Sequence, residues 1–276
     1  MMYVLGMSHA INVLKAASVG PLAMTHQNWS EMTSAEEFFD VQAKPGLIPE
    51  GRLKAFIVSP ASGWGSVAEI RTLSDGQRQV VAAEGYIKLL QSLEPVQDQG
   101  TLFSFMHGNE HSMLSLVQHD MPYDFELPWC QDLPLIAGRQ PIPFEVVQRQ
   151  VEKALNPAIA SLAMMRSQLV RMRLVHVAPP PPVASEARIN QAPEVFRERI
   201  AKSGVTPLSI RVKYYLLSLR MLRDALKPFN VELLECPSEA LDADGAIRDE
   251  LAYGATHGNE AYGELVLRQM QAMVGA

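Results

Sequence analysis

The sequence predicts a three-layer α/β/α domain built on a mainly parallel sheet of about five strands. Short apolar runs alternate along the chain with longer segments in which apolar residues recur at the period of a helix. A glycine or proline follows each apolar run and would end a strand there. Alternation of this kind is typical of parallel strands that are joined by crossover helices.

Five apolar runs account for the predicted sheet, and they occupy residues 3–5, 55–58, 102–106, 174–177 and 231–234. The residues that end them are Gly6, Pro60, Gly108, Pro179 and Pro237. In open α/β sheets, ligands bind beside the loops at the carboxyl ends of the strands. We therefore expect functional residues directly after these runs.

Apolar residues at helical spacing predict the helices that cover the sheet. They lie near residues 86–93, 147–169, 207–226 and 262–273, and the third of these carries interleaved lysines and arginines that we expect in solvent. Residues 20–51 show no clear period, and residues 66–83 could hold either a loop or a hairpin that turns at Asp75-Gly76. No linker divides the chain, so we expect a single domain over residues 1–276.

Composition indicates a globular protein with a sizeable core, since 47% of the 276 residues are hydrophobic and 20% are charged. The formal net charge is −6, and the 24 basic and 30 acidic residues are dispersed, so nucleic acid is not an expected partner. No apolar run approaches the ~20 residues that span a bilayer, and the start of the chain reads as a strand rather than a signal peptide. These features predict a cytoplasmic protein that does not bind membranes, with Cys130 and Cys236 as buried free thiols.

Three separated segments could together supply a nucleophilic serine, its base and a donor for an oxyanion. Ser8 follows the first strand at the start of a helical segment, where backbone N–H groups favour negative charge, although a serine there could also serve only as a helix N-cap. Asn109 follows the third strand and could offer its side-chain amide to an oxyanion. His257 lies on a loop just before the last helix.

In this order, the three segments resemble the SGNH or GDSL-type hydrolases. Gly6-Met7-Ser8 is similar to the Gly-Asp-Ser block of that family, and His107-Gly108-Asn109-Glu110 is similar to its Gly-x-Asn-Asp/Glu block. His257 takes the place of the histidine in its Asp-x-x-His block. The resemblance implies an SGNH-hydrolase-like, flavodoxin-like fold with Ser8 as nucleophile, His257 as base and Asn109 as an oxyanion donor.

The resemblance also implies two groups that the sequence does not place. A glycine after the second strand would donate a further N–H to the oxyanion, and either Gly63 or Gly65 could be that glycine. The acid that orients the histidine would stand three residues before His257, where this chain has Gly254. A backbone carbonyl or one of three nearby carboxylates could take over that function: Asp249, Glu250 or Glu260.

The predicted reaction is hydrolysis of an ester, such as an O-acetyl or short acyl group on a sugar or metabolite, without cofactor or metal. The same acyl-enzyme could pass its acyl group to another alcohol. One alternative is a non-catalytic domain with a decayed triad that binds a glycan or a protein. Another is a zinc hydrolase in which His107 and His111 of an H-x-x-E-H motif bind the metal and Glu110 is the base. The aromatic segment 120–129 could be a wall or lid over the site, or an ordinary surface loop that buries Phe125 and Trp129. The sequence leaves the oligomeric state open.

Overall fold

A computed structural model describes residues 1–22, 27–28, 38–48, 53–59 and 66–275 of the chain. In chain order, the strands are β1 (Met2–Gly6), β2 (Gln27–Asn28), β3 (Phe39–Val41), β4 (Leu53–Ser59), β5 (Ala68–Thr72), β6 (Arg78–Ala82), β7 (Thr101–Phe105), β8 (Tyr123–Asp124), β9 (Gln140–Pro141), β10 (Arg173–Val177), β11 (Glu232–Leu234), β12 (Ala252–Tyr253) and β13 (His257–Gly258). The α-helices are α1 (Ser8–Ala17), α2 (Glu84–Gln91), α3 (Glu110–Ser115), α4 (Phe144–Gln168), α5 (Glu186–Gln191), α6 (Arg197–Ser203), α7 (Leu208–Leu226) and α8 (Glu260–Gly275). Short 3-10 turns lie at Glu94–Val96, Glu194–Phe196, Lys227–Phe229, Ser238–Ala240 and Asp249–Leu251. Among these described helices, none is both long and apolar enough to cross a membrane, and the cytoplasmic location stays a prediction.

The central sheet contains the series β11-β10-β7-β1-β4, and every neighbouring pair in this series is parallel. These are the five predicted strands, so the predicted fold class is confirmed. Two further strands extend the sheet along the free edge of β4, where β2 pairs with its end in parallel and β3 pairs with its start in antiparallel orientation. Both lie in the segment that shows no clear period, because strands of two or three residues are too short to show alternation.

Alternate residues of β1 face opposite helical layers, and the whole strand is buried. Val4 belongs to the core that the sheet forms with α1 and α8, whereas Tyr3 and Leu5 belong to the core formed with α2 and α4. A strand that is covered on both faces reads as a continuous apolar run, which is the pattern seen in the sequence. The sheet is therefore the middle of three layers.

The segment 66–83 forms a hairpin rather than a loop. Strands β5 and β6 pair in antiparallel orientation, and Gly76 in the turn has a φ of +82°, in the region that favours glycine. The Asn156 side chain on α4 accepts the N–H of Ile70 at 2.8 Å and donates to its carbonyl at 3.2 Å. The hairpin is thus fastened to the helix that covers this side of the sheet.

Close packing of α1 against α8 brings residues from the two ends of the chain together. A Cβ on Gly263 of α8 would lie 2.6 Å from the carbonyl oxygen of Asn12 on α1, so only glycine permits this approach. The Asn12 side-chain amide also donates a hydrogen bond of 2.8 Å to the carbonyl of Gly258. Because Ser8 begins α1 and His257 lies just before α8, this contact holds both on the same side of the sheet.

Two cations of α7, which were expected in solvent, are fully buried: Arg211 and Lys213. The Lys213 ammonium lies 2.8 Å from Asp124 Oδ1 and 3.0 Å from the carbonyl oxygen of Pro134. The Asp124 carboxylate also accepts the backbone N–H groups of Phe125 and Ile136. This ion pair fastens residues 120–141 to α7. The helix can bury a charge there because both partners are hydrogen-bonded.

Replacing Lys213 by methionine removes one partner of this ion pair and leaves the Asp124 carboxylate buried without its cation. We expect the free energy of unfolding to fall by about 3 to 5 kcal/mol, measured by urea denaturation followed by circular dichroism. The matched control is Lys202→Met, because Lys202 is exposed on α6 and the change should stay within about 0.5 kcal/mol. Equal losses in the two variants would show that the buried pair does not stabilise the fold.

Candidate active site

Ser8 and His257 are in hydrogen-bond contact although 249 positions separate them in the chain. The Ser8 Oγ lies 3.0 Å from His257 Nε2, within the reach that proton transfer from a nucleophile to its base requires. Ser8 is exposed and lies in the first turn of α1, whose N-cap is Met7. The alternative in which Ser8 only caps this helix is therefore wrong.

His257 is held on its other side by a carboxylate that the sequence did not suggest. Its Nδ1 lies 3.1 Å from Glu194 Oε1 and 2.9 Å from the hydroxyl oxygen of Thr256. The Thr256 hydroxyl and Glu194 Oε2 are 2.7 Å apart, and the backbone N–H of Ala255 donates to Glu194 Oε1 at 3.1 Å. With acceptors around Nδ1, the imidazole carries its proton there and presents the lone pair of Nε2 to Ser8.

Glu194 is ionised in this arrangement. Burial alone would raise the pKa of its carboxyl group, but the hydrogen bonds from His257, Thr256 and Ala255, with the attraction of His257 once it is protonated, bring the pKa below its ordinary value. The side chain is 23% exposed, and that of His257 is 15% exposed. A carboxylate in this position orients the imidazole and stabilises the imidazolium that forms when the histidine accepts a proton.

The Glu194 carboxylate occupies the space that a side chain at position 254 would fill. Gly254 has a φ of +59°, and a Cβ added to it would overlap the Glu194 carboxylate, far inside van der Waals contact. A side chain at this position, aspartate included, would displace the carboxylate that now holds His257. The glycine at the expected aspartate position is therefore what allows an acid from another loop to reach the histidine.

The three carboxylates that the sequence offered as substitutes do not hydrogen-bond to His257, although all of them belong to the described chain. Asp249 makes a two-point ion pair with Arg188, at 2.9 and 2.8 Å, and Glu250 pairs with Arg248. Glu260 is exposed in the first turn of α8. None of the three therefore orients the imidazole through a hydrogen bond, and Asp249 and Glu250 are paired with arginines instead.

Glu194 was missed because nothing in its sequence context signals its role. It precedes His257 by 63 positions, in a 3-10 turn that follows α5. Its φ of +53° is uncommon for a residue with a side chain, and strain of this kind concentrates at functional sites. The only available signal was negative, namely the glycine at position 254.

Asn109 lies at the N-cap of α3, at the carboxyl end of the strand beside β1. Its Oδ1 lies 3.0 Å from His9 Nε2, and its amide nitrogen has no hydrogen-bond partner among the residues that the structure describes. Asn109, Ser8, His257 and Glu194 line one cavity. The three residues that the sequence singled out thus meet at one place.

Gly63 and Gly65 lie outside the described residues, so the position of the second oxyanion glycine stays a prediction. Apolar side chains supply much of the wall of this cavity, including Met7, Ile11, Ile57, Met113, Ala154 and Pro157. The segment 120–129, which the structure describes throughout, contributes nothing to that wall. Of the two alternatives, the surface loop fits better: Asp124 holds it on α7 and Phe125 is buried, although Trp129, which was expected to be buried, is exposed.

The zinc alternative at the H-x-x-E-H motif is wrong. Helix α3 begins only at Glu110, and His107 precedes it with a φ of +65°, so His107 and His111 do not share a helical face as that site requires. His111 is buried against Tyr215, with its ring nitrogen 3.1 Å from the Ser112 hydroxyl. In the described part of the chain, no group of three or more potential ligands is placed to hold a metal.

Glu110 instead supports the turn that carries Asn109. Its Oε2 accepts the backbone N–H of Gly108 at 2.9 Å, and its Oε1 lies 3.5 Å from the ring of His107. Burial raises the pKa of this carboxyl group to about 7, although the hydrogen bonds from its own N–H and from that of Gly108 oppose the rise. The carboxyl group therefore changes charge close to neutral pH.

This raised pKa makes part of the stability depend on pH. Between about pH 4.5 and 7, the folded state keeps a proton on Glu110 that the unfolded state has lost. The contribution of this proton to the free energy of unfolding is fully present below about pH 4.5 and is lost as the pH rises through about 7. The Glu110→Gln side chain resembles the protonated carboxyl group and does not titrate. The stability of this variant should therefore rise relative to that of the wild type as the pH increases from 4.5 to 8. We expect the difference in free energy of unfolding to change by roughly 2 to 3 kcal/mol between pH 4.5 and 8.

Urea denaturation at a series of pH values measures this difference. The matched control is Glu152→Gln, because Glu152 is exposed on α4 and its variant should follow the wild type at every pH. A constant difference between Glu110→Gln and the wild type across the window would contradict the raised pKa.

Comparison with known proteins gives only loose structural matches. No protein-family model matches the chain, and no curated protein matches it. Three solved structures align with 99% of it: the periplasmic domain of a lipopolysaccharide acetyltransferase from Salmonella serovar Paratyphi A (7% identity, TM-score 0.43, 82% of that chain), a GDSL-like lipase from Bacteroides thetaiotaomicron (7%, 0.41, 87%) and a protein suggested to be an arylesterase from Agrobacterium tumefaciens (13%, 0.38, 98%). Superpositions this loose carry no information about chemistry.

Proposed function

We propose that this protein is a serine hydrolase or acyltransferase that acts on an ester. Ser8 is the nucleophile, His257 is the general base, and Glu194 is the acid that orients it. The observation that supports this most is the unbroken series of hydrogen bonds from Ser8 Oγ to His257 Nε2 at 3.0 Å and from His257 Nδ1 to Glu194 at 3.1 Å. A nucleophile, a base and an orienting carboxylate in this order form the arrangement that activates serine on several unrelated folds.

The reaction proceeds in two halves through an acyl-enzyme. Ser8 Oγ attacks the carbonyl carbon of the ester while its proton moves to His257 Nε2. His257 then returns the proton to the leaving alcohol as the ester C–O bond breaks and the acyl group stays on Ser8. In the second half, water or an acceptor alcohol attacks the acyl carbon and gives its proton to Nε2, and that proton returns to Ser8 Oγ when the acyl group departs.

Charge on the carbonyl oxygen would be stabilised by groups around the start of α1. The backbone N–H of Ser8, the first residue of α1, is the proposed donor there, because the helix dipole favours negative charge at this end; the N–H of Ala10 is already bound to the carbonyl of Met7. The side-chain NH₂ of Asn109, which lines the same cavity, adds a donor from a neighbouring strand end. We retain a glycine N–H from position 63 or 65 as a further proposed donor.

The proposed substrate is a small-molecule or glycan ester with a short acyl group, such as acetyl. The apolar side chains that line the cavity together with Ser8 suit a short acyl chain, and the exposed Ser8 can be reached by an ester. The competing proposal, a binding domain with a decayed triad, depended on the missing aspartate at position 254. Because Glu194 is hydrogen-bonded to His257, the missing aspartate no longer argues for a decayed site.

Hydrolysis of p-nitrophenyl acetate tests the proposal through the acid. We expect Glu194→Gln to lower kcat by roughly 10²- to 10⁴-fold, because the imidazole loses its orientation and the charge that stabilises its protonated form. Ser8→Ala sets the lower limit, with kcat reduced about 10⁴-fold or more. Both measurements are made with and without a chelator, which should change neither.

The matched control is Glu198→Gln, since Glu198 is an exposed glutamate four positions further along the same segment. It should retain the wild-type rate. Turnover that survives Ser8→Ala, or that a chelator abolishes, would refute the serine mechanism. A Glu194→Gln variant with the same rate as Glu198→Gln would refute the assignment of the acid.

A further inference from the structure

His9 touches both the base and the oxyanion donor, although the mechanism gives it no step. It follows Ser8 directly, and its Nε2 lies 3.0 Å from the side-chain oxygen of Asn109. Its ring also stacks on the ring of His257, with centroids 4.5 Å apart and an interplanar angle of 26°. The imidazole of His9 is therefore in contact with both the proposed base, His257, and the proposed oxyanion donor, Asn109.

The protonation state of His9 follows from its contacts. The oxygen of Asn109 can only accept a hydrogen bond, so Nε2 of His9 has to carry a proton. Its Nδ1 is buried and has no hydrogen-bond partner among the described residues, and a proton there would leave a buried donor unpaired. Burial lowers the pKa of His9 well below its ordinary value, and a proton on His257 would lower that pKa further. The ring is therefore neutral, with its one proton directed at Asn109.

The donated hydrogen bond fixes which way the Asn109 amide faces. An amide has an acceptor on one side and a donor on the other, and a rotation of half a turn exchanges them. With the oxygen bound to His9, the NH₂ group is turned away from His9 and has no partner in the described chain. The reversed amide would place its oxygen, which repels negative charge, on the side that an oxyanion needs.

We propose that His9 is a positioning residue, which holds the Asn109 amide with its NH₂ group toward the oxyanion. This inference rests on the proposed function and adds to it a residue that decides the polarity of the oxyanion hole. The stack on His257 requires the same neutral ring, because a second positive charge 4.5 Å away would oppose protonation of the base. His9 also packs against the turn before Asn109, where a Cβ on Gly108 would lie 3.1 Å from its ring.

A double-mutant cycle separates positioning from general structural support. His9→Phe keeps an aromatic ring for the stack and the packing but has no proton to donate. We expect it to lower kcat for p-nitrophenyl acetate by roughly 10- to 100-fold, and Asn109→Ala to lower kcat by about 10²- to 10³-fold, with KM changed little in either variant. The double variant should be no slower than Asn109→Ala alone, because His9 acts only through that amide.

His9→Gln is the conservative variant, since its side-chain NH₂ can donate to Asn109 Oδ1. We expect it to recover part of the rate that His9→Phe loses, and it replaces His9→Phe in the cycle if thermal unfolding shows that the phenylalanine variant does not fold. The matched control is His119→Phe, at an exposed histidine, which should keep the wild-type rate.

Each outcome of the cycle decides the inference. Coupled effects, with the double variant equal to Asn109→Ala, support it, whereas effects that multiply in the double variant overturn it. A His9→Phe variant as fast as the wild type also overturns it. If the wild type hydrolyses the ester no faster than Ser8→Ala, the serine mechanism itself fails and takes this role with it, so the two failures are distinguished by the wild-type rate alone.

Discussion

The carboxylate of Glu194 is the constraint on which the site depends. By accepting the proton of His257 Nδ1, it leaves the lone pair of Nε2 directed at the Ser8 hydroxyl. In the proposed mechanism, loss of this carboxylate would let the imidazole rotate or change tautomer, and Ser8 would no longer be activated. Thr256 and the backbone of Ala255 bind the same carboxylate and so hold it in its ionised form against the effect of burial.

The fold converges on this interaction from four strand ends or loops. Parallel pairing of β1 with β7 places the segments of Ser8 and Asn109 side by side, and the contact of α1 with α8 brings in His257. The backbone is strained where these segments meet. Among the described residues other than glycine, a positive φ occurs at His107, Glu194 and Asn230, and the first two line the cavity. Backbone strain of this kind is concentrated at functional sites, where it holds side chains in a fixed arrangement.

Much of this architecture could be predicted from the sequence because local hydrophobic patterns indicate the strands and helices. A strand buried on both faces is a continuous apolar run, so all five core strands were visible, and the residues after them led to Ser8 and Asn109. The edge strands β2 and β3 were missed because two or three residues show no period. The buried cations of α7 were misjudged because their partners, such as Asp124, lie far away in the chain.

Glu194 could not be predicted from the sequence. Its role depends on a left-handed backbone and on a gap at Gly254, and neither is encoded by a pattern around position 194. The sequence showed only that an acid was absent from the usual place. A contact between residues 63 positions apart has to be read from three-dimensional structure.

The most direct test of the central claim is to locate the adduct that a fluorophosphonate forms with the protein, by mass spectrometry of its peptides. An activated serine reacts with such a reagent, whereas an ordinary hydroxyl group does not. We expect a single adduct on Ser8, formed much more slowly in Glu194→Gln and equally fast in Glu198→Gln. A protein that stays unlabelled at Ser8, or that is labelled there regardless of Glu194, would contradict the account.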